Sequence, residues 1–100
     1  MADPVVTYES KDRVATITLN RPDKMNALSN QLVAELKAAF QRLQDSDDRA
    51  CVLTAAGDRA FSVGADLKDP PRDPSLWECM PGVGVMLDKP VVAAVHGYCV

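Results

Sequence analysis

Ala60-Phe61-Ser62-Val63-Gly64-Ala65-Asp66-Leu67-Lys68 follows an apolar run, Ala50-Cys51-Val52-Leu53-Thr54-Ala55, and a turn at Ala56-Gly57-Asp58. Its meaning lies in the two small residues at its centre. Gly64 and Ala65 let a ligand come close to the main chain. If a helical turn starts there, the Ala65 N–H has no intrahelical partner and can face an anion or a polarised carbonyl. The plainer reading is a tight turn at Gly64 with Asp66 capping a helix, and these residues alone leave both readings open.

Working outward, Ala50–Ala55 reads as a strand covered on both faces, because it is nearly all apolar. Val91 to Val95, between Pro90 and Gly97, reads the same way. Towards the N-terminus, Val5-Val6-Thr7-Tyr8-Glu9 and Val14-Ala15-Thr16-Ile17-Thr18-Leu19 alternate with period two. With Ser10-Lys11-Asp12 as the turn they predict a hairpin, with Ala15, Ile17 and Leu19 on its apolar face. Pro22 biases Arg21 towards extended backbone and marks the exit from the second strand.

A helix is expected from the N-cap Ser29 to about Gln44, with Leu28 and Val33 placed for a hydrophobic staple. Leu32, Leu36, Ala39, Phe40 and Leu43 form its buried stripe. Asp45, Asp47 and Asp48 are unfavourable at a helix C-terminus and set the end. Asp69-Pro70-Pro71-Arg72-Asp73-Pro74 is a proline-rich loop, after which Ser75 is placed to cap a short helix over Leu76, Trp77, Cys79 and Met80. Hairpin, helix, strand, helix, strand is an α/β order with crossover connections.

The 100 residues fit one domain or part of one, and 47% hydrophobic with 25% charged residues is an ordinary globular composition. A net charge of −3 without a basic stripe argues against nucleic acid as a partner. No apolar run reaches the ~18 residues of a membrane span. Met1-Ala2-Asp3-Pro4 resembles neither a signal nor a transit peptide, so a cytoplasmic location is expected. Cys51, Cys79 and Cys99 form no Cys-x-x-Cys pair, and there is one histidine. No metal site is expected from such a set. Cys51 and Cys99, in apolar runs, read as buried small hydrophobes.

Three segments carry a family resemblance: Asn20-Arg21-Pro22-Asp23-Lys24-Met25-Asn26-Ala27-Leu28, the Ala60–Lys68 stretch, and Lys89-Pro90-Val91-Val92-Ala93-Ala94-Val95-His96-Gly97-Tyr98. In this order and at about this spacing they resemble the crotonase (enoyl-CoA hydratase/isomerase) superfamily. The resemblance implies a spiral of ββα units, of which residues 1–100 cover the N-terminal part of a single domain. It places the glycine-rich turn and the two catalytic glutamates after Val100.

The resemblance further implies an acyl-CoA thioester substrate, no separate cofactor, and a homotrimer or hexamer for a complete chain. It assigns the Ala65 N–H to an oxyanion hole that steadies an enolate. Such donors contribute about 3 kcal/mol each in comparable acyl-transfer sites. Val63, Ala65, Asp66 and Leu67 would line the coenzyme's adenine pocket, with Lys24 and Met25 near its pantetheine and phosphates. Lys24 can pair with phosphate as a point charge or stand as a solvated loop residue. Asp23 would oppose phosphate.

His96 reads as a structural hydrogen-bonding group or, as the lone histidine, a general base. Glu9, Glu35 and Glu78 match neither family glutamate. Trp77, Met80 and Met86 would wall an acyl chain or pack a core or lid. Hydration of a 2-enoyl-CoA is the expected reaction. Isomerase, racemase, decarboxylase or dehalogenase chemistry, a non-catalytic binding or assembly role, and an inactive fragment are the alternatives.

Overall fold

Alternating apolar and polar residues make the hairpin, and the register shows where it turns. The computed structural model describes residues 4–64, 66–68 and 86–99. Strand β1 (Val6–Lys11) pairs antiparallel with β2 (Val14–Leu19), Lys11 lying opposite Val14. The loop is therefore Asp12-Arg13, with φ of 53° and 64°, and not the expected Ser10-Lys11-Asp12. Two successive left-handed residues give the turn whose twist matches the flanking strands, so both strands run on to the tip.

After β2, Pro22–Lys24 forms one 3-10 turn, followed by α1 (Asn30–Gln44). The Ser29 side chain accepts the Leu32 N–H, and the expected stripe is buried together with Val33. Leu28 packs on the cluster that contains Val33, as the staple requires. At the other end the Lys89 Nζ donates to the carbonyls of Leu43 (2.6 Å) and Ser46 (2.7 Å). A cation there offsets the negative helix terminus.

Strand β3 (Ala50–Ala55) runs parallel to β2, and β5 (Val91–Ala93) parallel to β3, giving the order β1-β2-β3-β5. Helix α1 covers one face, where Phe40, Leu32, Leu43, Ile17 and Cys51 are fully buried. Each large apolar side chain contributes about 2 kcal/mol there.

The expectation that β3 and the Val91–Val95 run are covered on both faces does not hold among the described residues. Val52 and Thr54 are half-buried, and Val92 on the edge strand is 63% exposed. Strand β5 also ends at Ala93, two residues early, and Cys99 is exposed while Cys51 is buried. Burial pushes the Cys51 thiol pKa up, so it stays an inert thiol.

Two short strands escaped the sequence reading: β4 (Ala60–Ser62) pairs parallel with β6 (Tyr98–Cys99). Gly97, at φ +64°, makes this possible, because a Cβ there would lie 2.4 Å from the Arg59 carbonyl oxygen. The Asp69–Pro74 loop, the short helix expected after Ser75, and Trp77, Glu78, Cys79 and Met80 fall outside the described residues.

The N-terminal edge is tied down by carboxylates. Glu35 on α1 accepts the N–H groups of Val5 (2.9 Å) and Val6 (3.2 Å). Asp48 accepts the hydroxyls of Tyr8 and Ser10. These bonds hold its pKa below the ordinary carboxylate value, Ser10 contributing most, while burial and the Asp48 hydrogen bond push Tyr8 up.

Two outcomes are expected. Replacing Asp12-Arg13 by Asn-Gly removes left-handed strain and raises stability by about 1 kcal/mol in urea unfolding. Because folding lowers the Asp48 pKa, its contribution is full above the unfolded carboxylate value of about 4 and fades as pH falls through the depressed folded one. Asp48→Asn should therefore lower the melting temperature at neutral pH and flatten its fall below about pH 4.

Candidate active site

The Asn20–Leu28 segment leaves the C-terminal end of β2, and the chain from β3 through β4 brings Ser62–Gly64 and Asp66 beside it. Crevices at the carboxyl ends of parallel strands are the usual ligand sites of α/β sheets. Pro22 opens the 3-10 turn, and Met25 and Asn26 reverse the chain at φ 49° and 55°. Asparagine tolerates that conformation; for methionine it is a cost held at the site by the surrounding bonds.

Asn26 is fully buried and has every polar group engaged. Its Oδ1 accepts the Arg21 N–H (2.8 Å), and its Nδ2 donates to the carbonyls of Ala56 and Ala60 (both 3.1 Å). Its own carbonyl accepts the Ser62 hydroxyl (2.8 Å), whose oxygen in turn accepts the Gly64 N–H (3.2 Å). Three main-chain bonds continue the seam: Val63 N–H to Met25 O (3.2 Å), Leu28 N–H to Gly64 O (2.7 Å) and Asp66 N–H to Leu28 O (2.9 Å). Gly64 sits at φ 89°, which a side chain would strain.

Between the two segments lies a cleft of about 430 Å³ lined by Lys24, Ala27, Val63, Asp66, Leu67 and Lys68. Four of the six residues expected at the coenzyme site thus meet. Leu67 is 97% exposed, offering an apolar surface to a ligand. Met25 instead lines a smaller neighbouring hollow with Pro22 and the Ala56–Ala60 turn. Ala65 lies outside the described residues.

Ala27 and Lys68 were not singled out from the sequence, nor were the residues that hold the cleft's shape, Arg21, Asn26 and Ser62. A hint was present in Asn26: a buried loop asparagine can satisfy carbonyls and amides at once. Arg21 Nη1 donates to Asp66 Oδ2 (2.6 Å) and to the Ala27 carbonyl (3.0 Å), while Asp66 Oδ1 accepts the Lys68 N–H (2.8 Å). The carboxylate closes a tight turn from Asp66 to Lys68, with Leu67 at its tip.

His96 donates from Nε2 to the Gly57 carbonyl (2.8 Å), a structural bond between the β5–β6 connection and the turn after β3. Glu35 is occupied by the Val5 and Val6 amides, and Met86 faces solvent at 83% exposure. Among the described residues no cluster of three His, Cys, Asp or Glu could hold a metal ion, and no helix is long and apolar enough to cross a membrane.

Comparison with known proteins matches residues 9–100 to the enoyl-CoA hydratase/isomerase family. The (E)-benzylidenesuccinyl-CoA hydratase of Thauera aromatica is 37% identical, over 95% of this chain and 40% of the relative. Among solved structures, a probable enoyl-CoA hydratase from Mycobacterium thermoresistibile superposes with a TM-score of 0.80 at 33% identity, covering 97% of this chain and 43% of that one. A carnitinyl-CoA hydratase from Mycobacterium avium gives 0.79 at 28% identity, covering 96% and 40%. The chain therefore spans about two fifths of the length of these relatives.

Truncating Asn26 to alanine strands two carbonyls and one amide in the interior, and should cost roughly 3 kcal/mol in urea unfolding. Asn26→Asp should also destabilise, because a carboxylate cannot donate to Ala56 and Ala60.

Proposed function

Because this chain belongs to the enoyl-CoA hydratase/isomerase family, we propose that the protein adds water to a 2-enoyl-CoA thioester through an enolate held in an oxyanion hole. The observation that carries this reading is the cleft itself. Two segments that resemble the family's coenzyme-binding walls meet there, where Lys24, Lys68 and Asp66 line a hollow with the apolar Ala27, Val63 and Leu67. A lysine pairs with phosphate as a point charge, and Ala27, Val63 and Leu67 offer apolar surface to a ring or a pantetheine arm. Met25 lines the neighbouring hollow and contributes to the loop through its left-handed backbone.

The water oxygen bonds to C3 of the substrate as its O–H bond breaks and the proton passes to a carboxylate base, while the C2–C3 π electrons move towards the thioester carbonyl, leaving an enolate oxygen. Protonation at C2 completes the addition. The Ala65 N–H, next to the left-handed Gly64, is assigned as one donor to that oxygen. A second amide and the carboxylates that move protons are assigned to family segments beyond the matched residues. No separate cofactor is required, since coenzyme A arrives with the substrate. A homotrimer or hexamer and a cytoplasmic location complete the reading. The named hydratases among the relatives support hydration over the isomerase, racemase, decarboxylase and dehalogenase alternatives.

The test is loss of the unsaturated-thioester absorbance when the full-length protein meets short enoyl-CoA substrates. Ala65→Pro, which removes the amide hydrogen, should lower kcat about 100-fold, whereas Ala65→Gly keeps it and should stay within about threefold. Unchanged turnover in a folded Ala65→Pro variant would remove the amide from the mechanism. Absence of turnover by the unmodified protein on any enoyl-CoA would remove the hydratase reading.

A further inference from the structure

The coenzyme cleft contains a charge that does not suit it. Asp66 lines the same hollow as Lys24 and Lys68. An unpaired carboxylate there would repel a phosphate-bearing ligand. The Asp66 side chain is 11% exposed and its Oδ2 lies 2.6 Å from Arg21 Nη1, with the arginine itself 19% exposed. The partners are therefore shielded from solvent screening, and each is expensive to leave alone. Arg21 is absent from the cleft lining. Its guanidinium stands behind the first wall, where the same nitrogen also holds the Ala27 carbonyl of the cleft lining (3.0 Å).

We propose that Arg21 is a positioning residue for anionic-ligand recognition: it neutralises the Asp66 carboxylate from behind and sets the two walls at the spacing that lets Lys24 and Lys68 act on one ligand. Asp66 is needed because its second oxygen accepts the Lys68 N–H at 2.8 Å and shapes the turn that presents this lysine. Arg21 is needed because the carboxylate that builds the turn would otherwise oppose the ligand's charge. Within the first motif, the arginine is held by its main chain, the N–H by Asn26 Oδ1 and the carbonyl by the Lys24 and Asn26 amides.

This role rests on the coenzyme A thioester reading above. The experiment measures binding of coenzyme A itself by titration calorimetry, and KM and kcat for an enoyl-CoA, on the full-length protein at low and high salt. Melting temperatures confirm folding. Arg21→Gln should weaken coenzyme A binding and raise KM about tenfold at low salt, with kcat changing much less, and the gap should narrow as salt screens the repulsion acting across the open cleft between the uncompensated carboxylate and the ligand's phosphates. The double variant Arg21→Gln/Asp66→Asn removes the repulsion and should recover most of the lost affinity. Arg21→Lys keeps the charge and should stay within about threefold.

A purely structural arginine predicts otherwise: no change in salt dependence, and a double variant that binds coenzyme A no better than the single one. That result would overturn the proposal, as would a folded Arg21→Gln protein with unchanged KM. If Arg21→Gln does not fold, the Arg21→Lys affinity decides, a loss beyond tenfold overturning the proposal and near-normal binding supporting it. Failure of the unmodified protein to bind coenzyme A would overturn the parent reading, and the proposal with it.

Discussion

One buried amide holds the site together. Asn26 has no exposure, lies in the left-handed region, and joins the loop after β2 to the carbonyls of Ala56 and Ala60 on the far side of β3. An amide is suited to this because it donates and accepts on one small head, whereas a carboxylate only accepts and an alkyl group does neither. In a low-dielectric interior the satisfied bonds are strong and the unsatisfied ones costly, so the junction is stiff. That stiffness passes through the Ser62 hydroxyl to Gly64, the residue before the proposed oxyanion donor.

Much of this architecture is legible in the sequence because it depends on local periodicity. The alternation of Ala15, Ile17 and Leu19, the helical stripe from Leu32 to Leu43, and the Ser29 cap all appear where the pattern places them. The strand at Ala50–Ala55 also falls at its expected bounds. What the pattern could not show was long-range. The β4–β6 pairing joins strands of three and two residues, too short for a periodic signal, and requires the close approach at Gly97. The hairpin turn was misplaced because neither Asp12 nor Arg13 carries the glycine signal usual for two left-handed positions.

The site divides in a similar way. Residues that line the cleft lie within contiguous motifs, and Lys24, Val63, Asp66 and Leu67 belong to segments the sequence marks out. Residues that hold those motifs in place act across large sequence distances. The partnership of Arg21 with Asp66, or of Lys89 with the end of α1, becomes visible only when the chain is folded. An apolar run was also an unreliable guide to cover: Val92 and Cys99 read as interior residues yet face outwards in the described structure.

The parallel sheet has a kinetic consequence. β1, β2, α1 and β3 follow one another closely in the chain, while β5 must cross the longest separation in the sheet to reach β3. Closing that loop is entropically later than closing the hairpin or winding the helix. During synthesis the first half can therefore settle while the second is still emerging, leaving the edge of β3 briefly unguarded.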